Sequence, residues 1–234
     1  MNNLYSAETL QEGIIIPFDK PYRWTSFDLV NFVRKNLCKF SGLKKLKVGH
    51  SGTLDPLATG LLILCTGRAT KSIDSIQSMV KEYEAEITLG ATTLSDDLET
   101  DIDAAYSTDH ISNSLIKEKL ELFKGSIKQI PPVFSAKKMS GTRAYEFARE
   151  GILKNMGPVD IEIFDLDIIF FQLPVLKLRI KCSRGTYIRS LARDLGKELN
   201  SGGYLSALRR TAIGNYRIEE SISIENFQKK LNIL

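Results

Sequence analysis

Apolar positions along the chain fall into blocks whose spacing predicts strands and helices in no regular alternation. Gly13 to Pro21, with Ile14, Ile15, Ile16 and Phe18, reads as a short strand stopped by proline. From Ser26 onward, Phe27, Val30, Val33, Leu37 and Phe40 recur at helical spacing, which predicts an amphipathic helix capped by Ser26 with those five side chains in the core. The run Leu61-Leu62-Ile63-Leu64 reads as a buried strand. Residues 81–89 alternate: Tyr83, Ala85, Ile87 and Leu89 face one way and Glu82, Glu84 and Glu86 the other, the pattern of a strand with one wet face. Residues 112–124 predict a helix carrying Leu115, Ile116, Leu120 and Phe123.

Further on, β-branched and aromatic residues over 159–171 and 175–182 predict two or three strands, the last presenting Leu176, Leu178, Ile180 and Cys182 on one face. Residues 183–189 then turn into a helix through Leu199, and 223–234 predict a final short helix. Residues 1–12 read as a loose arm, and the acidic loop after Gly90 as solvated. Strands outnumber helices without βαβα order, so the expected architecture is α+β: a large mixed, mostly antiparallel sheet flanked by helices. At 234 residues the chain is expected to form a single domain, with an inserted arm at about 131–157.

Composition adds little until charge is placed along the chain. With 43% hydrophobic and 26% charged residues, no membrane-length apolar run and no signal-peptide layout, the protein is expected in the cytoplasm, with no membrane partner. Cys38, Cys65 and Cys182 have neither disulfide nor zinc spacing and read as buried thiols. The net charge is only +4, yet nine basic residues between Lys177 and Arg210 face just Asp194 and Glu198. Acidic residues run unopposed from Glu82 to Asp103. Such segregation favours a polyanionic partner. Lys44, Lys45 and Lys47 make a second basic loop, and Lys137, Lys138 and Arg143, interleaved with aromatics such as Tyr145, suit an arm that grips an RNA loop.

The candidate chemistry centres on Gly49-His50-Ser51-Gly52-Thr53-Leu54-Asp55-Pro56-Leu57-Ala58-Thr59-Gly60. Asp55 stands in a glycine-framed turn at the mouth of the buried 61–64 strand, where a carboxylate costs desolvation energy unless charge or hydrogen bonds offset it. Lys20, in the loop stiffened by Pro21, is a cation that could face Asp55 or a phosphate.

This twelve-residue string, continued by Leu61-Leu62, resembles the signature of the TruB family of tRNA pseudouridine synthases. The likeness extends to Lys20-Pro21, Tyr83, the stretch Arg184-Gly185-Thr186-Tyr187-Ile188-Arg189 and Leu208-Arg209-Arg210. It implies the pseudouridine synthase fold with an RNA-gripping arm. The implied activity is conversion of uridine 55 in the TΨC loop of tRNA to pseudouridine, by base flipping onto an aspartate nucleophile and without cofactor or metal. By the same resemblance Asp55 is the nucleophile, Tyr83 stacks on the flipped base, and Arg189 pairs with Asp55. His50, Tyr187, Leu208 and Lys20 line the substrate site, while Arg184, Arg209 and Arg210 reach RNA.

The electrostatic logic of Arg189 stands without the family, since a buried carboxylate kept anionic needs a cation that does not lose its proton. The expected partner is the tRNA TΨC stem-loop, the expected state a monomer, and no C-terminal PUA-type domain is expected. A non-catalytic RNA-binding protein would keep the basic face but have no use for an anion in an RNA pocket.

Overall fold

A computed structural model describes residues 3–134, 138–139, 142–143 and 157–232 of the protein. In chain order the elements begin α1 (Ala7–Glu12), β1 (Ile15–Lys20), α2 (Ser26–Ser41), β2 (Val48–His50), β3 (Ala58–Thr66), α3 (Ile73–Ser78) and β4 (Lys81–Leu89). They continue β5 (Ala91–Thr93), β6 (Ile102–Ala105), α4 (Asn113–Glu121), β7 (Gly125–Gln129), β8 (Lys138–Met139) and β9 (Thr142–Arg143). The last are β10 (Val159–Gln172), β11 (Val175–Cys182), α5 (Ile188–Glu198), β12 (Gly203–Ile213), β13 (Tyr216–Arg217) and α6 (Ile224–Lys230). The fold is α+β, as expected. The chain divides into two compact units, Met1–Glu82 with Arg209–Leu234, and Tyr83–Leu208.

In the first unit β3 is the central strand. It pairs antiparallel with β1, Ile15 opposite Cys65 through Lys20 opposite Gly60, and with β2, Val48 opposite Thr66 through His50 opposite Leu64. Its apolar run is continuous because both faces are covered. Leu62 and Leu64 join a core of Phe18, Leu29, Val33, Leu37 and Phe227, whereas Leu61, Ile63 and Cys65 pack with Ile76 and Ile213. Helix α2 begins with a capping box in which the Thr25 hydroxyl accepts from the Asp28 amide and the Asp28 carboxylate accepts from the Thr25 amide. Thr25, rather than Ser26, is therefore the cap.

The predicted stripe of α2 also narrows. Val30, Val33 and Leu37 are buried, but Phe27 is 64% and Phe40 46% exposed, because neither lies on the arc that meets β3. The expected loose arm is in fact partly docked: Ser6 caps α1, whose Leu10 is fully buried, and Tyr5 packs edge-on to Phe227.

The second unit has the strand order β4-β11-β10-β7, with β10 antiparallel to both β11 and β7. The even residues of β11 that alternation placed on one face, Leu176 to Cys182, are fully buried, and the predicted inward positions of β4 are buried too. Helix α5 buries Ile188, Leu191, Ala192 and Leu195. The loop after Gly90 departs from expectation: Ser95, Asp96 and Asp97 are buried, the two carboxylates paired with arginines of α5 and the Ser95 carbonyl accepting from Arg189. Of the arm at 131–157, the described residues include its first four positions, its last, and a short ladder pairing Lys138 with Arg143. Lys137 and the side chains of Lys138 and Arg143 lie outside the described residues.

Candidate active site

Asp55 lies, partly buried, on the loop between β2 and β3. Four residues clamp that loop within the first unit. The Ser26 hydroxyl, 3% exposed at the first turn of α2, accepts from the Leu54 amide (2.9 Å) and donates to the Leu54 carbonyl (3.1 Å), fixing both polar groups of the residue before Asp55. The Ala58 amide donates to the Asp55 carbonyl at 3.1 Å and the Arg23 amide to the Pro56 carbonyl at 2.8 Å. Arg210, 1% exposed, donates from Nε to the Leu61 carbonyl (2.7 Å) and from Nη2 to the Gly52 carbonyl (3.2 Å), tying the start of the loop to β3. Gly60 is glycine for a reason: its φ is +101°, and a Cβ there would stand 2.3 Å from the Arg210 carbonyl oxygen.

Lys20 is fully buried, and its Nζ donates to the carbonyls of Pro21 (3.0 Å) and Trp24 (2.6 Å). Burial lowers its pKa from 10.5 to about 8; Asp55 opposes that shift and Arg210 adds to it. Its place is thus beneath the loop as an electrostatic neighbour of Asp55, instead of at a substrate-facing surface. A depressed ammonium pKa favours the neutral form in the fold, so the native state gains stability as pH rises from 8 to 10.5 and loses it as pH falls back through 8. Between those limits, unfolding titrations are expected to show wild type gaining about 3 kcal/mol relative to Lys20→Met. Parallel pH dependences of the two proteins would show that the ammonium is not desolvated.

His50 is half-buried, and its Nδ1 is buried without a hydrogen bond of good geometry. Burial pushes its pKa below the usual imidazole value and Arg210 adds to this, against a weak contact to the Gly52 backbone, so the ring is neutral at physiological pH. Lys44, Lys45 and Lys47 are exposed just upstream. Arg209 is held bidentately by Asp19, at 2.8 and 3.1 Å, with 40% of its side chain exposed. The expectation that Arg210 reaches RNA does not survive its burial: its guanidinium is spent on main-chain carbonyls inside the unit.

In the second unit Tyr83 is 8% exposed on β4, and Leu208 is half-buried near the end of this unit's part of β12. Tyr187 precedes α5, its backbone fixed by the 2%-exposed Gln129, whose Oε1 accepts from the Tyr187 amide (2.8 Å) and whose Nε2 donates to its carbonyl (3.1 Å). Arg189, 4% exposed, donates to the carbonyls of Ser95 (3.2 Å) and Phe134 (2.8 Å), with Asp97 at 3.6 Å from its Nε. One turn on, Arg193 bonds Asp96 at 3.0 Å, yet burial raises the Asp96 carboxyl to about 6 despite that pairing. Arg184 is exposed beside Gly185.

Sequence reasoning missed Ser26, Gln129, Asp96 and Asp97. Only Ser26 left a trace, as a second hydroxyl beside a helix cap that needs one. Among the described residues no group of three His, Cys, Asp or Glu side chains is placed to hold a metal, and no helix is long and apolar enough to cross a membrane.

Two family models match the chain: TruB family pseudouridylate synthase (N terminal domain) over residues 38–188, and tRNA pseudouridylate synthase B C-terminal domain over residues 189–233. It is 51% identical to tRNA pseudouridine synthase B of Phocaeicola vulgatus over 95% of this chain and 94% of that one. With tRNA pseudouridine synthase B of Parabacteroides distasonis the identity is 54%, over 91% of each chain. Among solved structures it is similar to a chain in the crystal structure of a Cbf5-Nop10-Gar1 complex, with a TM-score of 0.71 and 26% identity. The match covers 96% of this chain and spans 58% of that one.

Proposed function

Because the chain belongs to the TruB family of pseudouridylate synthases, we propose that its substrate is tRNA and that it converts uridine 55 of the TΨC loop to pseudouridine with Asp55 as the nucleophile. The observation that carries the assignment of Asp55 is the build of its loop. A carboxylate is set at the mouth of a buried strand, its neighbour Leu54 is gripped on both polar groups by Ser26, and a buried ammonium, Lys20, lies within its field. Fixing main chain on both sides of one acid is what a nucleophile needs to meet a reacting atom at a set distance.

In the reaction the N1–C1′ bond of the nucleotide breaks, the freed uracil turns, and a C5–C1′ bond forms. C5 gives up its proton and N1 ends with one, so atoms and electrons balance with no cofactor. Asp55 is assigned to capture the intermediate or take a proton beside the sugar. Arg189 is assigned to hold it ionised, Tyr83 to stack on the extruded base, and Tyr187 and Leu208 to wall the pocket. His50, neutral and flat, suits the space the base leaves in the RNA. Lys44, Lys45, Lys47 and Arg184, with Lys137, Lys138 and Arg143 of the arm, are assigned to phosphates.

The test is mass-shift mapping of pseudouridine in a minimal TΨC stem-loop incubated with the purified protein. Stoichiometric conversion of the single target uridine is expected. An unmodified stem-loop, with conversion at another site in whole tRNA, would overturn the assignment of the target.

A further inference from the structure

The turn joining β1 to α2 carries two side chains that none of the assignments above uses. Pro21 and Trp24 aim their carbonyls inward at the buried Lys20 ammonium, so the residues between them, Tyr22 and Arg23, crest the turn. Tyr22 is 49% exposed, and the Arg23 guanidinium carbon lies 5.6 Å from the centre of its ring. The Arg23 amide is bonded to the carbonyl of Pro56, the residue after Asp55, so the pair is tied to the catalytic loop. Arg23 also has φ +66°, left-handed backbone that strains any residue with a Cβ and that glycine adopts without steric cost. For folding alone, glycine is the better residue here.

We infer that Tyr22 and Arg23 form an RNA contact beside the catalytic loop, the ring stacking on an unpaired base and the guanidinium meeting a phosphate of the same strand. An exposed aromatic plane next to a cation is the pairing by which single-stranded RNA is held, and the backbone strain is the cost of placing the guanidinium there. Asp28, the nearest acid on α2, is held by its Thr25 partner, whose amide and hydroxyl both donate to it, and Asp19 is held by Arg209, so neither competes for Arg23. The inference rests on the reading that the protein acts on the TΨC stem-loop.

The experiment measures equilibrium binding of that stem-loop across a salt series, together with thermal unfolding, for wild type, Tyr22→Ala, Arg23→Gly and Lys230→Met. Lys230→Met removes one exposed charge from α6, at a residue that none of the assignments above uses. Arg23→Gly is expected to melt at or up to about 4 °C above wild type while binding RNA several-fold more weakly. Its slope of log affinity against log salt should be shallower by about 0.7–0.9. Tyr22→Ala should lose at least about fivefold in affinity, with Lys230→Met unchanged.

Wild-type affinity in both turn variants, or an equal loss in Lys230→Met, would overturn the contact. Failure of wild type to modify the stem-loop would instead count against the proposed function, so the two failures are told apart by the wild-type reaction alone.

Discussion

Asp55→Asn is expected to lower pseudouridine formation by at least about a thousandfold while the protein stays folded and holds RNA within about twofold of wild type. The size follows from the role: removing the group that forms or breaks bonds costs far more than removing a binding contact, because no neighbouring side chain substitutes for it. Asparagine has the carboxylate's shape but neither its charge nor its nucleophilicity. The bonds that set the loop use main chain, Leu54 to Ser26, Ala58 to the Asp55 carbonyl, Gly52 to Arg210, and the substitution leaves these in place. Single-turnover assays on the stem-loop, with binding and melting measured on the same preparation, check it. Activity near wild type would remove Asp55 from the chemistry and favour a role in shaping the loop, while loss of activity with loss of fold would place its carboxylate among the groups that hold the unit together.

What the sequence disclosed and what it withheld divide along a physical line. Local patterns were legible: the unbroken run of β3, the alternation of β4 and β11, and the helix after Tyr187 each have a period that short-range geometry enforces. Pairings across long separations were not. Asp96 and Asp97 read as solvated because their own neighbours are polar, whereas their partners Arg193 and Arg189 lie far along the chain. For Phe27 and Phe40 helical spacing gave the stripe but not its width, which depends on how much of α2 the sheet can cover.

Within the candidate site, a glycine-framed turn drew attention to Asp55 and the family resemblance to His50 and Lys20, yet Ser26 was taken as a helix cap when its hydroxyl serves Leu54. Arg209 and Arg210 were both assigned to RNA, although consecutive strand residues point to opposite faces. Periodicity alone could have separated them. One meets Asp19 at the surface and the other is sealed inside.

Arg210→Met carries the second large effect, and it falls on stability before function. A buried guanidinium that bridges the carbonyls of Leu61 and Gly52 supplies hydrogen bonds that methionine cannot, and each carbonyl left without its donor costs on the order of 1–3 kcal/mol. Relief of the cation's own desolvation offsets part of this, so a net loss of roughly 2–4 kcal/mol is expected, a fall of about 10 °C in Tm for a chain of this size. Arg210→Lys keeps the charge but has one nitrogen where two directions are needed, so it recovers only part of the loss.

An independent signature comes from His50. Arg210 depresses its titration, and in Arg210→Met the ring's pKa should move up toward the ordinary imidazole value, a shift readable by NMR at temperatures where the variant is still folded. A phosphate contact makes the opposite forecast: unchanged melting, an unmoved histidine, and weaker RNA binding with a shallower salt slope. That second pattern would restore Arg210 to the RNA interface and leave the Asp55 loop to be held by Ser26 and by the main-chain bonds of Ala58 and Arg23.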